Sequence, residues 1–216
     1  MRIVKPGELD VAARAIESGE LVIVPTNRWY MICADASNAD ASGSVFAGKR
    51  RPSGKSLAYI TPSLAVCEQH FQLSPEARKL AQQFWPGDLA LLLPWRDHED
   101  AARHAAVGSP ALTTMAPGVL GELAARAKVP VAATTANISG DAGPDDHGPA
   151  VTLDEVHAFL TASSLAVSVI VDGGVCPAAN HMTIVDCFTS ETKLVRTGLV
   201  HQRAVTAALG REVRPS

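Results

Sequence analysis

The chain has 216 residues, of which 47% are hydrophobic and 19% charged, with a formal net charge of −3. That length fits one large domain with a sizeable core better than two, and the mild acidity argues against a dedicated nucleic-acid binder, which would be basic across a face. Aromatics at 5% leave too few rings for a single-strand stacking platform.

The first twenty residues have no long apolar core and no cleavage pattern, and no apolar run approaches membrane-spanning length. Cys33, Cys67, Cys176 and Cys187 are scattered without metal or redox spacing, as expected of reduced cytoplasmic thiols. His98 and His104 are too far apart for a helical zinc pair. The expectation is a cytoplasmic protein with no membrane partner and no metal-ligand set of its own.

In chain order, residues 6–19 read as a helix with Leu9, Ala12, Ala15 and Ile16 on one face, closed by Gly19. Residues 21–24 form a short buried strand ending at Pro25, followed by a polar and aromatic segment over 26–31. A helix over 38–48 delivers a basic run, and 56–61 is a strand. Residues 63–70 and 74–84 are helical, the second opening on Ser74-Pro75-Glu76 as cap, first-turn proline and acid. A buried strand covers 89–94, residues 97–108 form a loop with a helical turn, and a weaker strand covers 111–115. A helix near 118–128 precedes a strand over 129–134, and the Gly, Asp and Pro residues of 140–149 form a flexible segment. After a helix near 152–162 come strands at 169–171, 182–185 and 193–195, then a helix near 202–209. Helices alternate with strands early and strands cluster late, which specifies a single α/β domain built on an open, mixed sheet with helices on its faces.

Four loops hold the residues suited to chemistry. Lys49, Arg50, Arg51 and Lys55 concentrate positive potential against an acidic background, which suits a polyphosphate or nucleic-acid backbone, although a solvated surface loop would look the same. Thr135, Asn137 and Ser139 offer small hydroxyl and amide groups that can coat a phosphate or ribose, or simply form a turn. Residues 25–30 carry Thr26, Arg28 and Tyr30 at the end of a strand, where open α/β sheets bind ligands. The fourth stretch runs from Asp172-Gly173-Gly174 through Thr183 to Arg196 and Gly198.

Taken in order, several of these motifs resemble the YrdC/Sua5/YciO family over about residues 8–200. They are Pro25-Thr26 with Tyr30, Lys49-x-Arg51-Pro52 with Lys55 and Leu57, and Trp85-Pro86-Gly87 with Leu89. Further along come Thr135-Ala136-Asn137-x-Ser139-Gly140, Asp172-Gly173-Gly174, Thr183-Ile184-Val185-Asp186, and Arg196 with Gly198. The resemblance is to the short, single-domain form. It implies a twisted open sheet with a concave basic cavity, and a reaction of ATP, bicarbonate and L-threonine, with Mg²⁺ on the phosphates. The product would be the threonylcarbamoyl-adenylate used to modify tRNA adenosine, and the basic concavity makes tRNA or double-stranded RNA a candidate partner. Oligomeric state stays open.

Carried over by position, the resemblance implies that Lys49 and Arg51 are catalytic. It implies that Lys49, Arg51, Lys55, Thr135, Asn137, Ser139 and Arg196 bind the nucleotide. Thr26, Arg28, Tyr30, Met115, Thr135, Met182 and Thr183 would form the acceptor pocket. The departures fall in that pocket. The family's entry segment reads P-T-(D/E)-T-V-Y-G, and here Asn27, Arg28 and Met31 replace its acid, second threonine and glycine. Met115 stands where the family has an arginine for the threonine carboxylate, and Met182 where it has a serine. The expectation is that Arg28 brings a cation into the cavity from another wall while Met115 and Met182 reshape its floor with flexible apolar surface. The acceptor would then be threonine in a rewired pocket, another amine, or carbamoyl-adenylate chemistry. The alternative from a different class is a non-catalytic nucleotide or double-stranded RNA binder.

Overall fold

The structure, a computed structural model, describes residues 1–52, 54–139 and 148–215. Ser53, Gly140 and most of the segment read as flexible therefore lie outside the described residues. The strands are β1 (Arg2–Val4), β2 (Leu21–Pro25), β3 (Tyr30–Asp35), β4 (Ala58–Ile60), β5 (Leu89–Leu93), β6 (Ala111–Thr114), β7 (Val131–Thr135), β8 (Val167–Val171), β9 (Thr183–Asp186) and β10 (Lys193–Arg196). The helices are α1 (Leu9–Glu17), α2 (Ala39–Gly48), α3 (Leu64–His70), α4 (Pro75–Phe84), α5 (His98–Arg103), α6 (Gly118–Arg126), α7 (Leu153–Ser163) and α8 (Gln202–Leu209).

All ten strands join one sheet in the order β1-β8-β2-β3-β7-β4-β6-β5-β9-β10. Neighbours pair in parallel at β1–β8, β8–β2, β4–β6 and β5–β9, and antiparallel elsewhere. The helix starts follow their caps. Asn38, Ser63 and Ser74 each accept a backbone N–H three residues on, and Thr152 with Glu155 forms a reciprocal capping box.

Two strands differ from the sequence reading. β1 lies within a stretch that carried no strand assignment, and β3 begins inside the segment read as a polar loop. Every residue of β3 is buried, because it lies between β2 and β7 with a hydrophobic core on each side of the sheet. Its sequence therefore shows none of the alternation that marks a half-exposed strand. What does turn is the short piece before it. The Thr26 hydroxyl donates to the Trp29 carbonyl at 2.7 Å, closing a hairpin in which Pro25 pairs with Tyr30.

Each face of the sheet carries a core. One holds Ile23, Ile32, Tyr59, Phe71 and Leu91 under residues of α2, α4, α7 and α8. The other holds Val22, Val24, Cys33 and Ile60 under α1 and α6. These two helices pack on β2, β3, β4 and β8, so that the rest of this second face opens into a hollow. The registers place Met31 beside Thr135, Ala58 beside Ala133, and Leu92 beside Leu112. Together with Ile184, all of these line the hollow.

Candidate active site

The hollow encloses about 520 Å³, and its lining brings together residues from most of the length of the chain. The floor is apolar sheet and the walls are polar. One wall is the basic run leaving α2. Arg51 donates from Nε to the Lys55 carbonyl at 2.9 Å and from a terminal nitrogen to the Ser56 carbonyl at 2.6 Å. These bonds curl the run back on itself, and Arg51, Lys55 and Ser56 all reach the cavity. Burial lowers the Arg51 pKa from its usual value, so a phosphate would meet a partly desolvated cation, which strengthens the attraction.

Beside it is the loop that leaves β7, the strand paired with β4, and Thr135, Asn137 and Ser139 of this loop line the cavity. The Thr135 hydroxyl donates to Asn137 Oδ1 at 2.6 Å, and the Asn137 amide donates to the Ile138 carbonyl at 3.0 Å. Beneath this loop lies Lys49, fully buried. Its ammonium donates to the carbonyls of Thr135 and Asn137 and to Asn137 Oδ1. The Lys49 carbonyl in turn accepts the Ser139 N–H at 2.7 Å. Burial first, and then Arg51, pull the Lys49 pKa down from 10.5 to about 7.

The remaining wall holds Arg28, Trp29, His181 and Arg196, and Met182 belongs to the adjoining floor. Arg28 is 3% exposed, and its guanidinium is paired with Asp88. Asp88 also takes the Asn27 amide at 3.1 and 3.2 Å. The Arg28 guanidinium lies 5.8 Å from the centre of the Trp29 ring, and the His181 ring lies 4.9 Å from that of Trp29. Arg196 donates from Nε to the Met182 carbonyl at 3.1 Å. Burial, then Arg196 and Arg28, lower the His181 pKa, which keeps the imidazole neutral at pH 7.

Of the residues singled out from sequence, Arg28, Arg51, Lys55, Thr135, Asn137, Ser139, Met182 and Arg196 line this one cavity. Lys49, Thr26, Tyr30, Met115 and Thr183 do not, and four of them have evident structural tasks. Lys49 spends its protons on the loop above it. Thr26 closes the hairpin. The Tyr30 hydroxyl donates to the Gly174 carbonyl at 2.8 Å and accepts the Gly173 N–H. Thr183 donates to the Val200 carbonyl and accepts the N–H groups of Gly198 and Val200. Met115, which follows β6, is not among the residues that line the cavity. Arg28 does enter the wall, but with its charge already balanced by Asp88. Sequence reasoning missed Asp88 and His181. Asp88 follows the Trp85-Pro86-Gly87 motif, yet nothing in the sequence connects it to an arginine 60 positions earlier. Among the described residues no three His, Cys, Asp or Glu side chains gather as a metal site, and no helix is long and apolar enough to cross a membrane.

The fold is thus an open, mixed α/β sheet with one face partly bare, where cations lie next to a hydroxyl-and-amide loop. The chain belongs to the Sua5/YciO/YrdC family: the model for that family, described as "Telomere recombination", matches residues 14–198. It is 29% identical over 201 residues to a threonylcarbamoyl-AMP synthase of Bacillus subtilis, covering 92% of this chain and 56% of that one. It superposes on Pyrococcus abyssi Sua5 complexed with L-threonine with a TM-score of 0.84 and 25% identity, over 99% of this chain and 62% of that one. Escherichia coli YciO shares the fold, with a TM-score of 0.77 at 14% identity over 94% of this chain and 98% of that one. The chain thus spans little more than half the length of the Bacillus relative.

Proposed function

We propose that the protein is an ATP-dependent synthase that converts an amino acid and bicarbonate into an N-carboxy adenylate, the class of product that threonylcarbamoyl-AMP synthases are named for. The observation that carries this reading is the meeting of Arg51, Lys55, Arg196 and the Thr135–Ser139 loop around one cavity.

The chemistry has two steps. The amine nitrogen attacks the carbon of bicarbonate, giving an N-carboxylate and releasing water. A carboxylate oxygen then attacks the α-phosphorus of ATP, and the bond to pyrophosphate breaks. The chain needs no nucleophile of its own for this. Its task is to bring two anions together in line, which is a matter of positioning and charge neutralisation. Arg51 and Lys55 neutralise the polyphosphate, and Asn137 and Ser139, in the loop beside them, orient it. Lys49 acts indirectly as a positioning residue, fixing the loop from below. Among the described residues the cavity lining carries no carboxylate, so these residues form no cage for Mg²⁺, and the ion would accompany the triphosphate. An adenylate of this kind suits transfer to a tRNA adenosine.

Release of pyrophosphate from ATP, dependent on both bicarbonate and an amino acid, tests the reading. Arg51→Ala should reduce it by roughly 100-fold, the usual effect of losing one charged donor aimed at transition-state charge, about 3 kcal/mol. ATP turnover indifferent to bicarbonate would contradict the reading.

A further inference from the structure

We infer that the acceptor is an α-amino acid with an apolar side chain and not a hydroxylated one, an inference that rests on the ATP-dependent reading above. Away from the basic run, the cavity floor is made of Met31, Leu92, Leu112, Met182, Ile184 and Val195. None of these side chains offers a hydroxyl or an amide. The floor is apolar because it is the continuation of the second core, which runs out from beneath α1 and α6 with Met31 and Ala58 still among its members.

Three threonine hydroxyls of the elements around this floor are already engaged. Thr183 is fully buried and holds the turn at Gly198 and Val200 through three bonds. Thr26 closes its hairpin, and Thr135 is bonded to Asn137. A side-chain hydroxyl resting on these six side chains would lose water and gain no partner from them, whereas a methyl group in its place would meet methionine and branched aliphatic carbons. The charge distribution adds the second half of the recognition. Asp88 cancels the charge of Arg28, so Arg196 is the cation at this end that is left to meet an α-carboxylate. It has only its Nε bonded among the described residues, to the Met182 carbonyl. A planar guanidinium with both terminal nitrogens available suits a carboxylate.

Valine and threonine have the same shape and differ by a methyl for a hydroxyl, which makes the comparison direct. Pyrophosphate release is measured on the whole protein with ATP, bicarbonate and L-threonine, L-valine, L-isoleucine or L-methionine. The expected kcat/KM is about 10- to 100-fold higher for valine than for threonine, the range over which an apolar pocket rejects an added hydroxyl. Met182→Ser, which puts a hydroxyl on the floor, should shift the valine-to-threonine ratio toward threonine by about tenfold. Threonine used as well as valine or better overturns the inference and leaves the ATP-dependent reading standing. A ratio unmoved in Met182→Ser overturns the placement of the side chain on this floor. Absence of pyrophosphate with every amino acid overturns both.

Discussion

Replacing Lys49 with methionine removes the ammonium that holds the Thr135–Ser139 loop from below, and two opposed effects decide the outcome. The change strands the Thr135 and Asn137 carbonyls that the ammonium served, at about 1–3 kcal/mol for each buried acceptor left unpaired. It also removes the cost of keeping a charge in a fully buried place, a relief that often offsets most of such a loss. Net stability should therefore fall by only about 1–3 kcal/mol. The loop loses its anchor altogether, and affinity for a non-hydrolysable ATP analogue should drop about 10- to 100-fold, as when the outer support of a binding group is removed. Guanidinium denaturation read beside calorimetry of the analogue separates the two quantities. An intact fold with affinity within about twofold of the wild type, below the effect expected of a lost support, would refute the positioning role.

The same residue gives a pH dependence whose sign can be worked out. Folding lowers its pKa from 10.5 to about 7, so the folded state disfavours the charged form. Its contribution to stability is greatest above 10.5 and is lost as pH falls toward 7. Nucleotide affinity runs the other way. The charged group has three protons for its three oxygen partners, and a nearby polyphosphate favours it, so affinity should fall as pH rises through about 7. In Lys49→Met both dependences should vanish, and a pH profile of analogue binding unchanged by the substitution would count against this assignment. Asp88→Ala strands the buried Arg28 guanidinium and should cost about 2–4 kcal/mol in denaturant unfolding, discounted for the partial exposure of Asp88; a loss under about 0.5 kcal/mol, typical of exposed pairs, would show that the pair is not buried in effect. Thr183→Val removes a donor and an acceptor at constant shape and should cost about 2–3 kcal/mol, with Thr183→Ser recovering most of it. In Gly198→Ala the new Cβ would lie 2.1 Å from the His181 carbonyl oxygen. The β9–β10 end must then shift, and pyrophosphate release should fall by about tenfold, the effect of a displaced Arg196; full activity would remove Arg196 from the site.

Much of the fold was legible because its elements carry local signals. Caps at Asn38, Ser74 and Thr152 start helices wherever they occur, and short apolar runs such as 89–94 have little choice but to be buried strands. β3 was not legible for the opposite reason, since a strand buried on both faces has no pattern to distinguish it. The site divides along the same line. Arg51, Lys55, Thr135, Asn137, Ser139 and Arg196 occur in recognisable order along the chain, and the sheet brings them to one cavity. The side on which each residue faces is not written in that order. Lys49 lies two positions before Arg51 and yet points beneath the loop. Tyr30 and Thr183 belong to the same motifs but serve the backbone at Gly174 and Val200. Asp88 balances Arg28 only because the hairpin after β2 folds over the start of β5, a relation set by tertiary structure alone. The apolar floor was equally invisible, since Met31, Leu112 and Ile184 become neighbours of a ligand only when α1 and α6 stop short of them.

The central claim is that a triphosphate lies on the bare part of the second sheet face, against the basic run and the adjoining β7 loop. A crystal structure with a non-hydrolysable ATP analogue tests it most directly. The expected result is phosphate density bonded to Arg51 and Lys55 and to the Thr135–Ser139 loop beside them. Phosphates bound elsewhere on the molecule, with the Arg51 wall empty, would contradict it.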